Sequence, residues 1–164
     1  MSASFMMKSL FTIAMISLSL FSCSESFSYE KSFKPENSIW PYEQDIAFEF
    51  NIADTSMLYS FYLDVEHSVD YPFQNIYTKI KTTYPDQTKK EDILSLELAN
   101  DLGLWEGKCN AKRCKVRIFL QEKAYFQLPG DYTLALEQYT RRDSLPGLNE
   151  IALRIKEVNL DSQK

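Results

Sequence analysis

The residues able to do chemistry here are few: three cysteines, one histidine and a surplus of carboxylates. Cys109 and Cys114 are separated by Asn110-Ala111-Lys112-Arg113 and sit between strand-like flanks. That spacing reads as a disulfide closing a hairpin. Metal binding would need further ligands that the neighbourhood does not supply, and a redox pair is more commonly C-x-x-C opening a helix. His67 lies in Glu66-His67-Ser68 without a G-x-S-x-G elbow or a second histidine, so it reads as a surface residue rather than a catalytic base. Asp45, Glu49, Asp54 and Glu137 could supply a glycosidase pair, but sequence does not give the separation between carboxyls on which such a pair depends.

Four glycines, none in a G-x-G-x-x-G or Walker-type setting, exclude those nucleotide-binding loops. Lys+Arg 18 against Asp+Glu 23 gives a net charge of -5, so no nucleic-acid partner is expected. Nothing points to a cofactor or a metal, and the chain reads as a non-enzyme.

The remaining cysteine has a different setting. The apolar run from Leu10 to Phe21 follows Lys8 and is too short to span a bilayer core of about 30 Å as a helix. It reads as a signal h-region, in a frame where translation could start at Met1, Met6 or Met7. The run ends in Leu20-Phe21-Ser22-Cys23, a lipobox-like site that makes residues 1–22 a lipoprotein signal peptide and Cys23 the lipidated N-terminus. Fatty chains on Cys23 would anchor the protein to a bacterial envelope membrane. Ser24 rather than Asp after the cysteine favours the outer membrane. With Cys23 acylated, Cys109 and Cys114 form an even pair in an oxidising compartment.

Residues 23–38 carry Ser, Glu and Lys and lack a sustained apolar period, which predicts a flexible tether. Extended at about 3.3–3.6 Å per residue, it would reach roughly 50 Å from the lipid surface. Residues 39–158 are expected to form the folded domain, with 159–164 a tail.

The elements that must position these residues read as strands. Ile46, Phe48, Phe50 and Ile52 alternate with Ala47, Glu49 and Asn51; Met57 to Val65 and Asn75 to Tyr84 repeat the pattern. Leu94 to Leu98, Val116 to Gln121, Ala124 to Leu128, Tyr132 to Tyr139 and Ile151 to Lys156 complete the set, with turns at Tyr84-Pro85-Asp86-Gln87, Pro129-Gly130 and Pro146-Gly147. Seven or eight short strands predict an all-β chain, a two-sheet antiparallel β-sandwich of jelly-roll or immunoglobulin-like type. The hairpin cations Lys108, Lys112, Arg113, Lys115 and Arg117 are either a solvated turn or a patch for anionic headgroups or an acidic partner. Tyr71-Pro72-Phe73, Trp105 and Tyr139 are either core or an exposed platform for sugars or protein.

The order of Trp40, Phe48-Glu49-Phe50, Asp54-Thr55, Tyr71-Pro72, Asn75-Ile76-Tyr77, Leu104-Trp105-Glu106-Gly107, Gly130-Asp131-Tyr132, Glu137-Gln138, Arg142 and Leu145-Pro146-Gly147 resembles the gliding-motility lipoprotein H family of Bacteroidetes-type bacteria. The resemblance runs from the lipobox to about Glu157. It implies an envelope lipoprotein acting with gliding and linked protein-secretion machinery, through envelope protein partners and without enzymatic activity. Glu137, Gln138, Arg142 and Asp143 are the polar part of the family-like segment. The first three are the candidate partner contact. A carbohydrate-binding or glycan-processing surface lipoprotein is the alternative.

Overall fold

The computed structural model describes residues 26–158, so the signal segment, Cys23 and the tail lie outside the described residues. Eleven strands are present: β1 (Tyr29–Phe33), β2 (Ile39–Pro41), β3 (Ile46–Ile52), β4 (Leu58–Ser68), β5 (Asn75–Thr83), β6 (Lys89–Glu97), β7 (Lys108–Cys109), β8 (Arg113–Tyr125), β9 (Gly130–Gln138), β10 (Ser144–Pro146) and β11 (Leu148–Val158). They form a five-stranded sheet ordered β1-β11-β4-β8-β7, a four-stranded sheet ordered β3-β9-β5-β6, and a short β10-β2 pair.

The pairing defines the winding. β1 pairs with β11, β3 with β9, β4 with β8 and β5 with β6, all antiparallel. These pairs are nested in sequence, as if one long hairpin had been rolled up, with successive pairs laid alternately in the two sheets. That is jelly-roll connectivity, and it decides between the two sandwich types expected.

The core follows from alternation. In β3, Ile46, Phe48, Phe50 and Ile52 are buried and the residues between them exposed. They meet Phe61, Leu63 and Val65 of β4, Leu134 and Leu136 of β9, and Ile151, Leu153 and Ile155 of β11 in one cluster. Phe50 stacks on Tyr132 at 5.6 Å and meets Phe61 edge-on at 5.4 Å, tying the two sheets together. Trp40 of β2 is fully buried and closes one end, its indole N–H donating to the Gln44 carbonyl at 2.7 Å.

Three expectations are corrected. The tether does not extend to residue 38: Tyr29–Phe33 is a strand on the edge of β11, and Glu36–Ser38 is a 3-10 turn. Only Tyr29 and Phe33 of β1 pack against the core, too few to give a sustained apolar period. The strands expected at Val116–Gln121 and Ala124–Leu128 are largely one, β8, interrupted by register shifts opposite Tyr59 to Tyr62. At the shift Lys123 takes φ 52 and its N–H donates to Ser60 Oγ at 3.2 Å, a bulge that breaks the period of two. His67 is not a surface residue; it is fully buried, because β4 runs on to Ser68 and Tyr71 and Trp105 close over the ring.

Candidate functional site

The outer face of the four-stranded sheet gathers exposed aromatic and charged side chains. With Ile76 and Thr78 of β5 buried, Tyr77, Lys79 and Lys81 point outward. With Leu134, Leu136 and Gln138 of β9 buried, Glu137 points the same way. The register sets Lys79 opposite Glu137 and Ile93 of β6. Lys81 Nζ lies 2.5 Å from Glu137 Oε2 and 3.3 Å from Asp45 Oδ2, and Lys79 Nζ lies 3.6 Å from Glu137 Oε1. The hydrogen bond from Lys81 holds the Glu137 carboxyl below its usual range. Tyr77, Ile93 and Tyr139 rim this ladder at 51%, 60% and 45% exposure, and Lys79 reaches over the Tyr139 ring at 5.2 Å.

The three residues expected as one partner contact have three different surroundings. Glu137 belongs to the ladder. Gln138 is fully buried, donating from Nε2 to the Trp40 carbonyl at 2.9 Å and accepting from Thr140 Oγ1 at 2.7 Å, so it ties β9 to β2. Arg142 is exposed and stacks over Phe73 at 5.4 Å. The exposed Tyr77 and Ile93 were missed from the sequence; their signal was a large apolar or aromatic side chain on the outward phase of a strand whose other phase is core.

The carboxylates of a glycosidase pair find other uses. Asp45 and Glu137 share Lys81, and the depressed Glu137 is the opposite of the raised carboxyl that a general acid requires. Asp54 accepts from the backbone and hydroxyl of Ser56 in a turn. A cleft of about 860 Å³ opens between β6 and β8, but its acids are also engaged: Asp86 binds Thr88 and Asp92 pairs with Lys90 at 2.9 Å. Among the described residues no group of three or more His, Cys, Asp or Glu side chains could hold a metal ion.

The expected aromatic platform is mostly interior. Tyr71 is 4% exposed, and Trp105 is half-buried with its indole N–H on the Val69 carbonyl at 3.1 Å. His67 lies between them, with ring centroids 5.6 Å from Tyr71 and 4.5 Å from Trp105, and its Nδ1 is 2.8 Å from the Ser68 carbonyl. Nδ1–H donates there, which leaves Nε2 as the unprotonated nitrogen. Burial pushes the His67 pKa down and the Tyr71 pKa strongly up. Of the platform's aromatic side chains, Tyr139 alone is well exposed.

The opposite outer face, on the five-stranded sheet, is closed at its centre. Asp64 of β4 is 3% exposed and accepts from Arg117 Nε at 2.7 Å and Nη2 at 3.0 Å, and from Arg154 Nε at 2.7 Å. Burial by itself would raise the Asp64 pKa; the hydrogen bonds and charge of Arg117, with Arg154 behind them, outweigh it and hold the carboxyl low. Phe27 covers both guanidinium groups, at 4.9 Å from Arg117 and 5.1 Å from Arg154. Beside it, Cys109 and Cys114 are joined in a disulfide at the β7–β8 hairpin. Gly107 leads into that hairpin at φ +81, where a Cβ would lie 2.2 Å from the Lys115 carbonyl oxygen.

The nested pairing and the two packed sheets define the class, an all-β jelly-roll domain. Within that class, the chain belongs to the GldH lipoprotein family, whose match spans residues 27–155. It is 22% identical over 145 residues to the gliding motility lipoprotein GldH of Flavobacterium johnsoniae, covering 84% of this chain and 89% of that one. It is 21% identical over 124 residues to a GldH homolog of Christiangramia forsetii, covering 71% and 76%. A solved structure from infectious bursal disease virus, Gx strain, superposes with a TM-score of 0.33 at 13% identity, covering 85% of this chain and 34% of that one, which is too distant to bear on function.

Proposed function

We propose that this chain is a lipid-anchored, non-catalytic component of a bacterial envelope that works by protein contact within gliding and linked secretion machinery. The relatives named for gliding motility support the setting, and the lipobox-like site supports acylation of Cys23, with the outer membrane as its location. The observation that carries the contact role is the outward patch of Tyr77, Ile93 and Tyr139 around the Lys79, Lys81 and Glu137 ladder. Exposed tyrosines are enriched at protein interfaces, since a rigid aromatic contributes area at little entropic cost.

The test is a Tyr77→Ala, Glu137→Ala, Tyr139→Ala triple variant in a strain whose own copy has been deleted. Thermal stability within a few degrees of wild type, together with loss of gliding or secretion and of co-purifying envelope proteins, is the expected result. Full function in the folded triple variant would remove this face as the contact. Glycan hydrolysis by the purified chain, abolished by one carboxylate change, would overturn the non-catalytic reading.

A further inference from the structure

The first described residues are tied to the five-stranded sheet. Ser28 N–H already donates to the Ile155 carbonyl at 2.9 Å, and Phe27 is seated on Arg117 and Arg154, on the outer face of the five-stranded sheet. Cys23 precedes Phe27 by four residues, which span at most about 14 Å when fully extended. An acylated Cys23 must therefore hold that face within a short distance of the lipid surface, where the sequence alone allowed a long stand-off.

The charge of the face matches such a neighbour. Lys108 of β7 lies directly opposite Lys115 of β8, so two like charges share one side of the sheet. The local carboxylates are already engaged: Glu66 by Arg113 at 2.9 Å, and Asp64 by Arg117 and Arg154. Glu30 is paired with Arg154. Lys112 at the hairpin tip is exposed. A positive excess thus collects on one face of a chain whose net charge is -5. Beside it Phe119 is 62% exposed, its ring 4.8 Å from Tyr62, which in turn meets Phe27 at 5.8 Å.

From these we infer that the outer face of the five-stranded sheet lies against the membrane that holds the acyl chains, with Phe27 clamping the anchor to the domain and Lys108, Lys112 and Lys115 meeting anionic phospholipid headgroups. This rests on the acylation of Cys23 proposed above. The opposite sheet, with its tyrosine patch, then points away from the lipid. Lysines are drawn to an anionic surface, which biases an orientation that the short link already restricts.

The test uses the acylated full-length chain in phosphatidylcholine vesicles with and without phosphatidylglycerol. The native Cys109–Cys114 disulfide leaves one free thiol when Ser32→Cys, on the outer side of β1, or Tyr77→Cys, on the opposite sheet, is introduced for a nitroxide label. A lipid-headgroup nickel chelate should relax the label at position 32 several-fold more strongly than that at 77. Equal relaxation, or the reverse order, overturns the orientation. Lys108→Glu with Lys112→Glu should lower the ratio on phosphatidylglycerol vesicles and leave it unchanged on pure phosphatidylcholine; no change on either removes the headgroup contact. Flotation separates the underlying reading: wild type floating with vesicles while Cys23→Ala does not upholds the anchor whatever the labels report. If the two behave alike, the anchor and the orientation fall together.

Discussion

The outer faces of the two sheets begin from the same local pattern and end in opposite states. On β4 and on β5 alike, polar residues alternate with core residues, and each outward row meets charges from its neighbours. On the five-stranded sheet the row closes over: Asp64 and Tyr62 are buried beneath two arginines, Phe27 and Phe119. On the four-stranded sheet nothing covers the row among the described residues, and Tyr77, Ile93 and Tyr139 stay open around a ladder that solvent reaches. A covered charge cluster holds the fold together and fixes what lies on top of it. An open ladder contributes little to stability and is free to meet a partner.

The sharpest way to break this contrast is to remove one acid from each face. Asp64→Ala leaves Arg117 and Arg154 facing each other over an emptied site and should cost about 3 kcal/mol in urea unfolding, whereas Glu137→Ala should cost below about 1 kcal/mol. Equal losses would abolish the distinction between the faces. Next in size is Gln138→Ala, which strands the Trp40 carbonyl and should cost about 2 kcal/mol, its loss of function tracking its loss of fold. A stable but inactive Gln138→Ala would return that residue to the contact surface. A similar figure, about 2 kcal/mol, is expected for opening the short Cys109–Cys114 loop in the Cys109→Ser, Cys114→Ser double variant, since a loop this small constrains the unfolded chain only modestly.

The acid response should separate the two interiors. His67 is buried with its pKa depressed below 6.5, so the unfolded chain takes up a proton that the folded one refuses. Its contribution is present above about pH 6.5 and is lost as pH falls from there toward the folded pKa, at no more than about 1.4 kcal/mol per unit. His67→Phe should flatten that limb. Asp64 acts lower down: its contribution holds above its ordinary value of 3.8 and is lost only as pH falls below it, through the depressed folded pKa. Urea midpoints between pH 7 and 3 would show both, and a His67→Phe profile identical to wild type would remove the histidine from the account.

What could be read from sequence depended on whether one face or two were covered. β3, half-buried, displays its burial in its residue types. β4 is buried along both faces through its middle, and its outer burial comes from Phe27, Phe119 and the arginines, all distant in sequence. β1 is an edge strand whose charged residues, Glu30 and Lys31, are both exposed, and β6 begins in Lys89-Lys90-Glu91-Asp92, so neither start announced itself. The nested pairing is long-range and left no local trace. For the site, the alternation through Tyr132, Leu134 and Leu136 continues to position 138 and puts Gln138 inside and Glu137 outside, a phase that grouping the two as one contact overlooked. The crossing of Lys81 to both Asp45 and Glu137 needed the register of three strands.

Site-specific photocrosslinking in intact envelopes reads directly whether the open face meets protein while the covered face does not. A photoreactive residue at Tyr77 or Tyr139 should crosslink to components of the gliding or secretion machinery, while one at Phe119 should give lipid adducts and no such protein bands. Crosslinking to those components from Phe119, with none from Tyr77 or Tyr139, would contradict the account.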